Sequence, residues 1–225
     1  MVKSDLNKQL EKTYYLDYDS VIVQDFISEN TNQEQSINEK AISLYYAVRD
    51  KIKYNPYLVS GEKNTFKASF VISQKQGYCV TKAITYATVL RGIGVPAKVG
   101  FANVKNHLSN SKLAKIMKTD IFAFHGYTEV YMFDHWVKAT PAFHKVVCRA
   151  FGVAPLDFDG KEDSIFHPQT KKGDKFMEYI VDHGSFDDFP FGKMVDEYQV
   201  YYPHFFDDSN NILDMQTEID FQPDK

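Results

Sequence analysis

The sequence predicts an α+β fold in which one long helix, starting at Cys79, packs on an antiparallel sheet. Three features of the 225 residues point there: helical periodicity before residue 92, β-rich runs around a turn between 97 and 140, and glycines and prolines placed singly at segment ends. Runs of helix followed by runs of strand favour segregated layers over a doubly wound parallel sheet.

Residues 13–17 read as an extended opening. Val21, Ile22, Val23, Phe26 and Ile27 outline a first helix. A second runs over 36–52, where Ile37, Ala41, Leu44, Tyr45 and Val48 recur at helical spacing until Asn55-Pro56 ends it. Residues 66–72 suggest a short helix entering a polar turn. The clearest helix opens at Cys79: Val80, Ala83, Ile84, Ala87 and Leu90 mark one face, and 92–96 supplies a glycine stop with a proline beyond it. Residues 97–104 read as a strand, and 127–132 and 136–140 as a hairpin turning at Phe133-Asp134-His135.

No repeat or linker divides the chain, so one domain is expected over 1–225. Its core lies at about 36–145, with an N-terminal extension (1–35) and a C-terminal extension (146–225) covering the cleft, the acidic end from 208 docking loosely. Against 26 Lys and Arg stand 30 Asp and Glu, a net charge of −4 that offers no broad positive field to nucleic acid. The polar first residues lack an apolar signal region, and no stretch approaches the ~18 apolar residues of a membrane span. A cytoplasmic protein without membrane contacts is therefore expected. Two cysteines, Cys79 and Cys148, cannot build a disulfide framework. Zinc-binding spacings are missing and the seven histidines are scattered, so neither a metal nor a cofactor is expected.

Cys79 follows Gln76-Gly77-Tyr78 at the start of the best helix, where free N–H groups and the helix dipole favour a thiolate. Such a placement draws a thiol pKa down from about 8.5. Gly77 permits close backbone approach just before it. A lone cysteine is more often a buried core residue than a nucleophile. His125 supplies the partner that changes the balance, since a Cys/His pair distant in sequence meets in space in thiol enzymes; the plainer alternative is a histidine that satisfies strand-end backbone groups.

The segment Gly77-Tyr78-Cys79, with its helix ending Leu90-Arg91-Gly92-Ile93-Gly94-Val95-Pro96-Ala97, resembles the nucleophile segment of the transglutaminase-like superfamily. His125-Gly126-Tyr127-Thr128-Glu129-Val130-Tyr131, followed by Trp136-Val137, resembles that family's His-x-Trp-x-Glu-Val pattern, with Tyr127 at the aromatic position. The two motifs bracket residues 41–143. The resemblance implies a papain-like core and thiol chemistry on amide bonds, as in bacterial members often named as cysteine proteases, with Cys79 as nucleophile and His125 as base.

One slot departs from the family pattern. Where Trp-x-x-x-Asp-Pro is expected, Thr140 precedes Pro141. Thr140 and His144 share a face with His125 by period-two alternation, and either is expected to orient the imidazole. Asp157 and Asp159 are downstream candidates, although Asp159-Gly160 is also an ordinary turn signal. The Cys79 N–H would serve as one oxyanion donor, with Gln76 or Gln74 as candidates for the second. Cys148 has apolar neighbours and is expected to be buried and inert.

Hydrolysis of a peptide, protein or small amide through an acyl-enzyme is favoured over cross-linking, because no acceptor-amine pocket or calcium loop is marked. A non-catalytic binding module that retains the fold is the alternative, with Thr140 as its best argument. A metal site recruiting His144 is a third reading. The sequence leaves the oligomeric state open.

Overall fold

The computed structural model describes residues 6–107 and 111–213, without the side chains of 111, 112 and 114. The helices follow local signals closely. Ser36 and Glu39 cap α2 (Ile37–Lys51) reciprocally, Ser36 Oγ accepting the Glu39 N–H and Glu39 Oε2 accepting the Ser36 N–H at 2.7 Å. In α1 (Val21–Asn30) the i, i+3, i+4 set Val23, Phe26 and Ile27 is buried, while Val21 and Ile22 are exposed. Ile37 is likewise exposed at the mouth of α2, whereas Ala41, Leu44, Tyr45 and Val48 are in the core. The short α3 (Ala68–Gln74) ends on Lys75 with φ 52°. Residues 13–17 form no strand, yet Tyr15 and Leu16 are buried.

α4 (Cys79–Gly92) departs from its expected one-faced pattern, because every residue from Val80 to Arg91 is buried. Helices α2 and α3 pack on one side of it and strands β3 (Ala97–Asn106) and β4 (Ile121–Met132) on the other. Its polar residues are satisfied inside. Lys82 Nζ donates to the Arg49 and Ile52 carbonyls at 2.9 and 2.5 Å, filling acceptors left free where α2 ends. The Thr85 and Thr88 hydroxyls donate one turn back, at 2.8 Å each. Arg91 reaches the carbonyls of Glu11, Ala97 and Asp187.

The sheet is antiparallel with order β5-β4-β3-β6, where β5 is His135–Ala139 and β6 is Met177–Phe186. The β4–β5 turn is shorter than expected: Met132 pairs with His135, and Phe133 and Asp134 at φ 49° and 66° form a two-residue connection. β4 begins at Ile121, ahead of the 127–132 run expected, so His125 lies inside the strand. β6 has no counterpart in the sequence reading. Its pairing with β3 shifts register twice, which breaks the alternation that would announce a strand. A small parallel bridge joins β1 (Lys53–Tyr54) to β2 (Gln76–Gly77). The remaining helices are α5 (Ser111–Met117), α6 (Lys145–Ala150) and α7 (Phe191–Tyr201), the last packed against β4.

Of the acidic end expected to dock loosely, 214–225 lies outside the described residues; before it, Phe206 pairs with Ile212. Among the described residues no helix is long and apolar enough to cross a membrane. Nor do three or more of their His, Cys, Asp or Glu side chains gather to hold a metal ion.

Candidate active site

The β1–β2 bridge places Tyr54 opposite Gly77, two residues before Cys79, and the Asn55 N–H donates to the Gly77 carbonyl at 2.9 Å. Tyr78 then leaves the strand, its N–H donating to Thr81 Oγ1 at 3.0 Å, and Cys79 becomes the first residue of α4. A side chain at Gly77 would meet that same Thr81 oxygen at 2.7 Å, so the close approach expected there is real.

Cys79 is half-buried at this helix start. Burial pushes its thiol up to about 11, although the backbone N–H groups of Gly126, Val80 and Cys79 itself all favour the thiolate. This corrects the expectation from helix position alone. The N-terminus acts in the anticipated direction, but desolvation is the larger effect.

Gly126 allows α4 to close on β4. A Cβ there would lie 2.8 Å from Val80 Cα and 2.9 Å from the Cys79 carbonyl oxygen. His125 immediately precedes it and is buried, its ring 4.7 Å from that of Phe166. Desolvation pushes its pKa down to about 3. The resting site therefore holds a neutral thiol and a neutral imidazole.

The aim of His125 depends on a bulge. Ala102 pairs with His125 and Val104 with Phe122, which leaves one extra residue on β4 and Phe124 at φ 56°. The fully buried Asn103 holds this kink. Its Oδ1 accepts the Phe124 N–H at 2.8 Å and lies 2.9 Å from His183 Nε2, while its Nδ2 donates to Glu197 Oε1 at 2.6 Å. Sequence reasoning passed over Asn103; a polar amide inside an otherwise apolar strand was the available signal. Asn103→Ala leaves the Phe124 N–H without its acceptor at a cost of about 1–3 kcal/mol, a fall of roughly 2–12 °C in melting temperature. An unchanged melting temperature would remove Asn103 from this role.

The other sequence candidates scatter. Thr140 is anchored through its backbone, its N–H donating to the Ser164 carbonyl at 2.9 Å and its carbonyl accepting from Tyr45 at 3.2 Å. Its Oγ1 and His125 Nε2 are both buried without a hydrogen-bond partner among the described residues, so no hydrogen bond joins them. His144 is occupied elsewhere, Nδ1 accepting the Tyr54 N–H at 3.2 Å. Asp157 is exposed and 3.4 Å from Arg49, and Asp159 accepts the N–H groups of Lys161 and Glu162 in its own turn. Neither aspartate is bonded to His125. Gln76 is exposed, its Oε1 accepting from Asn55 Nδ2 at 3.1 Å, and Gln74 ends α3 with its amide 3.5 Å from Ser73 Oγ. Tyr127 lies across Gly100, with its hydroxyl donating to Asp182 at 3.1 Å. Cys148 is buried, its thiol pushed up by burial.

Cys79 and His125 line one cavity of about 40 Å³. Tyr54, Tyr78 and Phe143 contribute to its wall, as do Met177, Tyr198, Tyr202 and Phe205 from the C-terminal part of the chain, and among the described residues no acid, lysine or arginine lines it.

The model of the transglutaminase-like superfamily matches residues 23–141, just over half the chain. The chain belongs to that superfamily. The matched region runs from α1 to Pro141 and includes Cys79, His125 and the Thr140 slot, whereas β6 and α7 lie beyond it. No curated protein matches the sequence. Among solved structures, one described as a "Putative Cysteine Protease from Cytophaga hutchinsonii" aligns at 15% identity and TM-score 0.47, over 61% of this chain and 42% of that one. That likeness is too slight to assign an activity.

Proposed function

We propose that this superfamily member is a thiol enzyme acting on amide or peptide bonds, in which Cys79 attacks the carbonyl and water resolves the acyl-enzyme. The observation that carries this reading is the closure of α4 on β4 at Gly126, which sets Cys79 and His125 on one cavity. Because both groups are neutral at rest, His125 takes the thiol proton as sulfur attacks and returns it to the departing amine. It then removes a proton from water for deacylation. The Cys79 N–H at the start of α4 donates to the developing oxyanion. Hydrolysis is preferred to cross-linking because among the described residues the cavity presents no carboxylate to hold an acceptor lysine. The substrate is a peptide, protein or small amide with an apolar group beside the scissile bond.

One observation favours the second reading, a non-catalytic peptide-binding module: His125 Nε2 has no carboxylate to stabilise an imidazolium. The two readings separate in a Cys148→Ser background treated with iodoacetamide and with p-nitrophenyl acetate. With a thiol pKa near 11, alkylation of Cys79 is expected to climb with pH through the whole range in which a free thiol would reach its plateau. Acetylation of Cys79 near neutral pH is expected to depend on His125, falling about 10²–10⁴-fold in His125→Ala. Equal acetylation with and without His125 would sink the enzyme reading and leave the binding module.

A further inference from the structure

We propose that the hydroxyl of Tyr54 is the second oxyanion donor of the Cys79 site, an assignment that rests on the thiol-enzyme reading above. A tetrahedral intermediate needs more than one donor aimed at its oxygen, and one helix-start N–H leaves the second place open. Gln76 and Gln74 do not fill it. They line a separate polar groove of about 360 Å³ that includes Gly77 and Thr81 but neither Cys79 nor His125.

Four tyrosines line the cavity that Cys79 and His125 share: Tyr54, Tyr78, Tyr198 and Tyr202. Two have their hydroxyls hydrogen-bonded. Tyr202 accepts the Ala123 N–H at 2.6 Å and donates to the Ile121 carbonyl at 2.8 Å. The Tyr78 hydroxyl donates to Met194 Sδ at 3.9 Å, and Tyr198 interacts chiefly with Tyr78. The Tyr54 hydroxyl has no hydrogen-bond partner among the described residues, whereas the rest of the residue is fixed.

Three contacts fix it. The bridge to β2 sets Tyr54 opposite Gly77, the His144 imidazole accepts its N–H at 3.2 Å, and its ring meets Phe143 edge-on at 4.8 Å. This gives His144 a use other than orienting His125: it anchors the backbone of the donor. A donor must also stay protonated. Burial, reinforced by the nearby Cys79, pushes the Tyr54 phenol well above its ordinary range, so it keeps its proton.

As the Cys79 sulfur bonds to the carbonyl carbon, the C=O π pair moves onto oxygen, where the Cys79 N–H and Tyr54 O–H donate to it. When the C=O bond re-forms, the C–N bond breaks and the amine leaves with the proton held by His125. Tyr54 transfers no proton at any stage.

Two reagents at one sulfur test the assignment. Iodoacetamide displaces iodide without forming an oxyanion, whereas p-nitrophenyl acetate passes through a tetrahedral one. Tyr54→Phe removes an oxygen without a described hydrogen bond and retains the ring against Phe143, so the fold is preserved. The expected result is a loss of about 10²-fold in Cys79 acetylation with alkylation unchanged within about twofold. Acetylation that survives in Tyr54→Phe, or acetylation and alkylation that fall together, would overturn the assignment. Failure of the underlying reading shows earlier and separately, as an unsubstituted protein whose Cys79 is alkylated but never acetylated, and the Tyr54 role falls with it.

Discussion

Gly126→Ala is expected to lower the melting temperature by about 2–12 °C and to abolish His125-dependent acetylation of Cys79. The new methyl would lie 2.8 Å from Val80 Cα, 2.9 Å from the Cys79 carbonyl oxygen and 3.1 Å from Val80 N. All three are backbone atoms, so no rotamer change relieves the contact. Either α4 withdraws from β4 or β4 bends away. Overpacking of this kind costs about 1–3 kcal/mol, and a chain of this length loses roughly 2–4 °C per kcal/mol. The chemical effect is larger than the thermal one, because the same movement takes the Gly126 N–H off the sulfur and separates Cys79 from His125. At Gly77 the added methyl would first meet a threonine hydroxyl, so Gly77→Ala is expected to be milder. A Gly126→Ala protein with normal melting and normal acetylation would mean that this closure does not assemble the site.

Acidification from pH 7 to pH 4.5 is expected to cost the unsubstituted protein about 2–3 kcal/mol more than it costs His125→Phe. Burial among Phe166 and its aromatic neighbours holds the His125 pKa at about 3, against 6.5 when free. Below pH 6.5 the unfolded chain takes up a proton that the folded protein refuses until about pH 3. Stability tied to the neutral ring is thus complete above pH 6.5 and is lost as the pH falls towards 3. Each pH unit in that window is worth about 1.4 kcal/mol, so two units give the stated difference. Carboxylates titrate in both proteins, and urea unfolding of the pair at the two pH values isolates the imidazole. Parallel losses would show that the folded protein leaves the His125 pKa at its ordinary value, and a smaller loss in the unsubstituted protein than in His125→Phe would show an imidazolium at rest, a thiolate–imidazolium pair in place of the neutral one.

The pH experiment also bears on the Thr140 slot. A carboxylate facing His125 would raise the imidazole pKa and favour an ion pair, but a threonine whose hydroxyl makes no hydrogen bond to the ring gives it no electrostatic support. In this protein Asp157 and Asp159, the downstream candidates, are held by Arg49 and by a local turn. The neutral pair is the consistent outcome.

The residues that make a helix begin at Cys79, place His125 on a strand and turn the chain at Phe133-Asp134 are near neighbours in sequence, and their patterns were legible without coordinates. So was the choice of Cys79 and His125 as candidates, because both motifs are local strings, and the two line one cavity. Tertiary structure decided the rest. Asn103 props up Phe124 only because β3 and β4 lose register beside it, and Tyr54 reaches the cavity only because β1 pairs with β2 across the intervening chain. The charge states turned on it most. A helix start alone predicts a lowered thiol pKa, but desolvation is set by whatever the distant chain brings over the sulfur, here Phe143, Met177, Tyr198, Tyr202 and Phe205, and no local pattern encodes that.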